Sequence, residues 1–401
     1  MRVALLSLLE LASDSPLPRA FLRVGGLSVA RQQLSIAHAL DCERIICLAP
    51  AVSSDILALQ HLAERRGNQF HVVAGPRALL GLVTAADEVI VFADGLFAST
   101  AQAAASIGDG PCVLVQPVEQ GLAAGFERID INHAAAGAMR IPGRLVEQVA
   151  ALPADCDAVS ALQRIALQAG VRQRPIPAPG QDGLFWALVR SDAEAHAIEP
   201  QWINQRTRDA IPLSPARGLA LIGVRSFGPA LLHAGTGSGA VMIAAVVAAL
   251  LAVGAAWFTL PTLGLACCAI GWILHESGAM LARIEGDEPQ PHRAMVSLTA
   301  YSWLIDAIII GLLGWGSGPG NLRPWYEQLF PPLMLLALLR IVTSVYSGRW
   351  SAWLTDRSLL AIILIGALAG RIGTFAAYGG AVAAAATALV LLSNQTRLTR
   401  L

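Results

Sequence analysis

The chain has 401 residues, 55% hydrophobic and 14% charged, with a mean hydropathy of +0.57. That is too apolar for one water-soluble enzyme and long enough for two or three domains. Its 28 basic and 28 acidic side chains cancel, which argues against a nucleic-acid footprint and against a field built for acidic substrates. Every basic residue is arginine, so there is no lysine for a Schiff base or for a compact charge on a phosphate. The two halves differ: up to about residue 225 the sequence is mixed and charged, and beyond about 235 Ala, Leu, Ile, Val and Gly dominate. A soluble domain followed by a membrane domain is the economical reading.

In chain order, the start (Met1, Arg2, then Glu10 and Asp14) is too short and too acidic for a signal peptide, so the first half is expected in the cytoplasm. Short apolar runs at 3–8, 44–48, 70–73, 88–92, 112–115 and 128–131 predict strands, and helical patterns at 29–40 and 54–66 lie between them. This alternation predicts a mostly parallel sheet with helices on both faces, which collects ligands beyond the carboxyl ends of its strands. The six cysteines, Cys42, Cys47, Cys112, Cys156, Cys267 and Cys268, show no CxxC spacing and are expected as reduced thiols. His133 has no second ligand at metal spacing. The stretch at 191–199 reads as a polar helix without chemistry.

The segment Pro18-Arg19-Ala20-Phe21-Leu22-Arg23-Val24-Gly25-Gly26-Leu27-Ser28-Val29 and the strand Val89-Ile90-Val91-Phe92-Ala93-Asp94-Gly95 resemble the sugar-phosphate nucleotidyltransferases over roughly the first 130 residues. The resemblance implies that Arg19, Gly25 and Gly26 bind substrate and that Asp94 binds metal. An Asp between a strand and a Gly is also ordinary turn chemistry. One departure stands out. The family's first strand runs into a glycine-rich loop whose N–H groups hold phosphate, whereas residues 6–15 here contain no Gly. Arg19 also replaces the family's lysine.

Between 201 and 234, Arg206, Arg208, Arg217 and Arg225 stand among apolar residues, the composition of a basic joint at a headgroup surface. Six apolar segments follow, at 239–258, 260–281, 297–315, 330–346, 359–371 and 375–393. The fifth is short for a span. Arginines at alternate turns (Arg283 and Arg293, Arg349 and Arg357, Arg397 and Arg400) predict that both termini are cytoplasmic. The absence of an inverted repeat argues against a transporter.

Polar residues interrupt the second and third segments: His275-Glu276-Ser277-Gly278-Ala279 through Ala282-Arg283, then Tyr301-Ser302-Trp303-Leu304-Ile305-Asp306. Charge inside a membrane marks function by default. These stretches resemble the signature of the CDP-alcohol phosphotransferases (the CDP-alcohol phosphatidyltransferase family), whose six membrane helices present four aspartates to divalent metal. On that alignment His275, Gly278, Asp306 and Ile310 occupy the aspartate positions. The resemblance implies Asp306 as metal ligand, Asp306, His275 and Glu276 as catalytic residues, Arg283 on a phosphate, and Mg²⁺ or Mn²⁺ as cofactor. Carboxylates on facing helices would hold the cation against a pyrophosphate. His275 and Glu276 also read as an interfacial polar pair, and Arg283 as a snorkelling side chain.

The fold expected is an α/β nucleotidyltransferase-like (Rossmann-like) cytoplasmic domain at 1–200, a basic juxtamembrane segment at 201–234, and an all-α six-helix transmembrane domain at 235–401. Two functions follow. One is transfer of a phospho-alcohol from a CDP-linked donor to a hydroxyl acceptor or lipid at an inner membrane, with no nucleic acid involved and a homodimer implied by the resemblance. The other is a catalytically inactive relative that binds nucleotide or lipid, or partners an active synthase.

Overall fold

A computed structural model describes residues 1–153, 156–177, 184–208, 213–233, 237–285, 291–315, 324–345, 351–370 and six residues between 379 and 388. The chain divides into two compact units, Met1–Gln205 and Arg206–Leu401.

The first unit opens with β1 (Arg2–Ser7), a hairpin of β2 (Arg23–Val24) and β3 (Leu27–Ser28), α1 (Val29–Ala39), β4 (Arg44–Leu48), α2 (Ser54–Arg65) and β5 (Gln69–Val73). It continues with β6 (Glu88–Phe92), β7 (Leu96–Ala98), α3 (Thr100–Ile107), β8 (Cys112–Pro117), α4 (Val118–Ala123) and β9 (His133–Pro142). It ends with α5 (Ala158–Gln168), β10 (Gln173–Pro175), β11 (Trp186–Leu188) and α6 (Asp192–Arg206). Seven strands form one sheet in the order β10-β8-β9-β6-β1-β4-β5. β6, β1, β4 and β5 are parallel, while β9 runs antiparallel to both β6 and β8.

Side-chain alternation gives the sheet two cores. Along β1, Ala4 and Leu6 pack into one and Val3 and Leu5 into the other, so the strand is apolar throughout, as a strand covered on both faces must be. Local capping sets the helix starts: the Ser28 hydroxyl accepts the Arg31 N–H at 3.3 Å, and Ser53 accepts that of Ile56 at 3.3 Å.

The strand expected at 128–131 is absent. That stretch makes one isolated bridge, Arg128 to Ala134, and the strand starts at His133. The reason is Asp130, whose Oδ1 accepts the N–H groups of Asn132 and His133, both at 2.8 Å. This Asx-turn diverts the backbone from extended pairing.

The second unit is helical: α7 (Pro215–His233), α8 (Gly237–Trp257), α9 (Pro261–Glu285), α10 (Pro291–Trp315), α11 (Trp325–Val345), α12 (Ser351–Thr355) and α13 (Arg357–Ala369). On α8, Ala245, Ala249 and Ala252 face inward, while Ile243, Val246, Val247 and Leu250 are exposed. Small residues inside and large ones outside suit helices solvated by lipid. α9 carries glycines seven residues apart at 264, 271 and 278. A Cβ there would lie 2.3 Å from Leu312, 2.7 Å from the Tyr301 hydroxyl and 2.8 Å from the Met242 sulfur. These glycines allow α8 and α10 to approach α9 closely.

One carboxylate joins two helix starts. Asp356 accepts the N–H groups of Ser358 (3.0 Å) and Leu359 (3.2 Å) at the head of α13, and that of Ala216 in α7 (2.8 Å).

Six spans were expected; among the described residues three helices are long and apolar enough to cross a membrane, Gly237–Trp257, Pro261–Glu285 and Tyr326–Ser344, which makes this a membrane-associated chain. Arg357–Ala369 is shorter, about 20 Å at 1.5 Å per residue against a hydrocarbon core of about 30 Å, whereas Thr299–Gly314 is the apolar part of the 25-residue α10. The sixth segment, 375–393, lies almost wholly outside the described residues. All six cysteines are unpaired.

Candidate functional site

In the first unit, a cleft of about 150 Å³ opens at the carboxyl ends of β1 and β6, with Ser7, Glu10, Arg19, Asp94, Glu127 and Asp157 on its walls. β6 delivers Asp94, and the next residue, Gly95, turns the chain at φ +79°, where a Cβ would meet the Val189 carbonyl at 2.4 Å. Asp94 is 7% exposed. Its Oδ2 accepts the Glu10 N–H at 2.8 Å and the Ser7 hydroxyl at 3.3 Å, while Oδ1 has no hydrogen-bond partner among the described residues. Burial pushes its carboxyl up to about 7, helped by the Glu10 charge and opposed by the Glu10 and Leu9 amides and Ser7.

The loop after β1 is the segment that would have to cradle a phosphate. Four of its amides are already engaged: Leu8 N–H donates to Leu48, Glu10 N–H to Asp94, Ala12 N–H to Leu17 and Ser13 N–H to Arg190. Arg19 reaches the same cleft but is ion-paired with Glu10 and donates to the Leu11 carbonyl at 3.2 Å. Gly25 and Gly26 do not line the cleft. They form the turn between β2 and β3 with φ of +59° and +81°, the conformation a tight hairpin requires, and the Gly25 N–H donates to the buried Glu199 carboxylate at 3.2 Å.

The helical unit carries the other predicted residues on the C-terminal part of α9 and in the second half of α10. Asp306 is buried between two arginines. Arg357 donates from Nε to its Oδ1 at 2.6 Å and from Nη2 to its Oδ2 at 3.0 Å; Arg340 Nη2 lies 2.6 Å from Oδ2. Arg340 also donates to Ser302 at 3.2 Å and lies over the Trp303 ring, 3.6 Å from its centroid. His275 is buried and stacked on Tyr301, with centroids 4.2 Å apart. Tyr301 donates its hydroxyl to the Ala245 carbonyl at 2.8 Å. Glu276 faces Arg217 of α7, with Nε 3.5 Å from Oε2. Arg283 is exposed and makes no hydrogen bond or ion pair among the described residues.

The signature positions are therefore occupied by packing. Gly278 lies against Met242, and Ile310 packs on the apolar core shared by α8, α9 and α10. Among the described residues no three His, Cys, Asp or Glu side chains lie close enough to hold a metal ion. The residues present do not fit the Mg²⁺ or Mn²⁺ site that the resemblance implies, because Asp306 already carries two cationic partners and no set of three such side chains comes together around Asp94 among the described residues.

Sequence reasoning overlooked Arg340 and Arg357 as partners of Asp306. The available signal was Arg340 itself, a charge inside the apolar run 333–342, which in hydrocarbon demands a counter-charge.

No family model matches the chain, and no curated protein matches it. Among solved structures, it is similar to a protein described as a glucose-1-phosphate thymidylyltransferase from Bacillus anthracis in complex with a sucrose. The match has 13% identity and a TM-score of 0.38, over 50% of this chain and 95% of that one. It is also similar to the inositol-1-phosphate CTP transferase from T. maritima, at 12% identity and a TM-score of 0.37, over 48% of this chain and 91% of that one.

Proposed function

We propose that this chain is a membrane-anchored, non-catalytic relative of the CDP-alcohol phosphotransferases, whose nucleotidyltransferase-like first unit serves as a binding module on the cytoplasmic face. The observation that carries this reading is the double clamp on Asp306: both carboxylate oxygens are spent on Arg340 and Arg357. A metal-assisted transfer needs carboxylates turned toward a cation, and the remaining signature positions hold a glycine, an isoleucine and a stacked histidine. The first unit supports the same reading, since four amides of the loop after β1 bond to the protein itself.

The test is transfer from a panel of radiolabelled CDP-alcohols into lipid or polyol acceptors, with Mg²⁺ or Mn²⁺ and the full chain in membranes. No incorporation above empty membranes is expected. Incorporation that disappears in Asp306→Asn would restore the transferase reading.

A further inference from the structure

Two guanidinium groups share one carboxylate in the helical unit, so Asp306, Arg340 and Arg357 together keep one positive charge that the cluster does not cancel. The next acidic side chain, Asp356, is spent elsewhere: its oxygens accept N–H groups at the heads of α13 and α7. A surplus charge beside hydrocarbon is costly unless an anion meets it.

Burial tells which arginine carries the surplus outward. The bonds from Arg357 to Asp306 are buried, and its side chain is 5% exposed. Those from Arg340 to Asp306 and Ser302 are only partly buried, and its side chain is 24% exposed. Arg340 donates through Nε and Nη2, which leaves Nη1 without an acceptor among the described residues. The guanidinium lies over Trp303, which is 58% exposed and whose indole N–H has no acceptor among them either. An arginine that only sought water would extend away from the helices; this one is pinned between α10 and α11 with donors to spare.

Depth selects the anion. Arg340 stands four residues before the end of the span Tyr326–Ser344, and Trp303 four residues after the start of the apolar stretch Thr299–Gly314. Each is therefore about 6 Å inside the end of its apolar stretch, the level at which tryptophans and lipid headgroups meet. Leu304 and Ile341, the next residues along the two helices, are exposed and apolar.

We propose that Arg340 and Trp303 hold the phosphodiester of an anionic phospholipid, whose single negative charge matches the surplus and whose acyl chains lie on Leu304 and Ile341. This site goes beyond the non-catalytic reading and rests only on the membrane association of the helical unit.

Native mass spectrometry of the full chain in detergent tests it, with phosphatidylglycerol titrated as the probe. Three comparisons dissect the headgroup: diacylglycerol lacks the phosphate, phosphatidylcholine adds a cation to it, and glycerol 3-phosphate lacks the chains. Saturable binding of phosphatidylglycerol is expected, about tenfold or more tighter than any of the three. Arg340→Gln leaves Asp306 to the two bonds of Arg357 and is expected to weaken it about tenfold or more. Trp303→Leu alters an exposed position, so its fold is secure, and is expected to weaken binding roughly threefold.

Equal affinity for phosphatidylcholine or diacylglycerol, glycerol 3-phosphate binding as tightly as the lipid, or lipid binding unchanged in either variant would each overturn the proposal. The non-catalytic reading would survive any of these, because only turnover of a CDP-linked donor bears on that.

Discussion

Asp306→Ala is expected to destabilise the helical unit severely, by about 3–5 kcal/mol, the cost of leaving a buried charge without its partner. The magnitude follows from burial: Asp306 is 3% exposed and Arg357 4%, so neither guanidinium nor carboxylate has water to fall back on. Arg340, with its guanidinium over Trp303 and a second acceptor in Ser302, is less dependent on the aspartate than Arg357. Thermal unfolding in detergent micelles would report the loss. Replacing the cluster with apolar residues, Asp306→Leu with Arg340→Met and Arg357→Met, is expected to recover most of it, since buried ion pairs seldom outweigh well-packed hydrophobic substitutes. A metal-ligand role predicts the reverse pattern, with activity lost and stability barely changed. An unaltered melting temperature in Asp306→Ala would remove the ion-pair account.

The first unit should lose stability as pH rises from about 4 to about 7, and Asp94→Asn should abolish that loss. The sign follows from proton uptake. Because the folded Asp94 carboxyl is held up to about 7 while the unfolded one ionises near 4, the folded chain binds more protons across this window. Stability is therefore greatest below the unfolded pKa, falls through the window, and levels off once the folded group has ionised. The whole effect is on the order of 4 kcal/mol. Denaturant unfolding of wild type and Asp94→Asn at pH 5 and pH 8 would separate them: similar stability at the lower pH, the variant ahead at the higher. Parallel pH profiles would show that Asp94 titrates as an ordinary exposed carboxylate.

The α/β alternation was legible because a strand covered on both faces is apolar throughout, as in 44–48 and 88–92, and because serines mark the starts of α1 and α2. Local turn chemistry defeated the pattern at 128–131, where one aspartate accepts two amides and delays the strand. The helix α7 was read as part of a basic joint, since Arg217 and Arg225 stand among its apolar residues. Its regularity comes from tertiary support: Pro215 occupies the first helical turn, where its missing N–H costs nothing, and Asp356 from a distant helix caps the same end.

Asp94 and Asp306 were both legible as special residues, but their partners were not. Arg357 stands 51 positions from Asp306 and Arg340 stands 34, and no periodicity within one helix encodes a contact across three. The resemblance gave Asp306 a metal because it carried over a residue type without its neighbours. The seven-residue glycine spacing on α9 was present in the sequence all along, and it explains why the second aspartate position of the signature, Gly278, now has no room for a side chain without displacing Met242.

The central claim is that the polar core of the helical unit holds itself together rather than a cation. Titration of the purified full chain with Mn²⁺, followed by electron paramagnetic resonance and compared with Asp306→Asn, tests it most directly. The account predicts that the two proteins bind Mn²⁺ identically, with nothing saturable that depends on this aspartate. A stoichiometric site present in the wild type and missing from Asp306→Asn would contradict it.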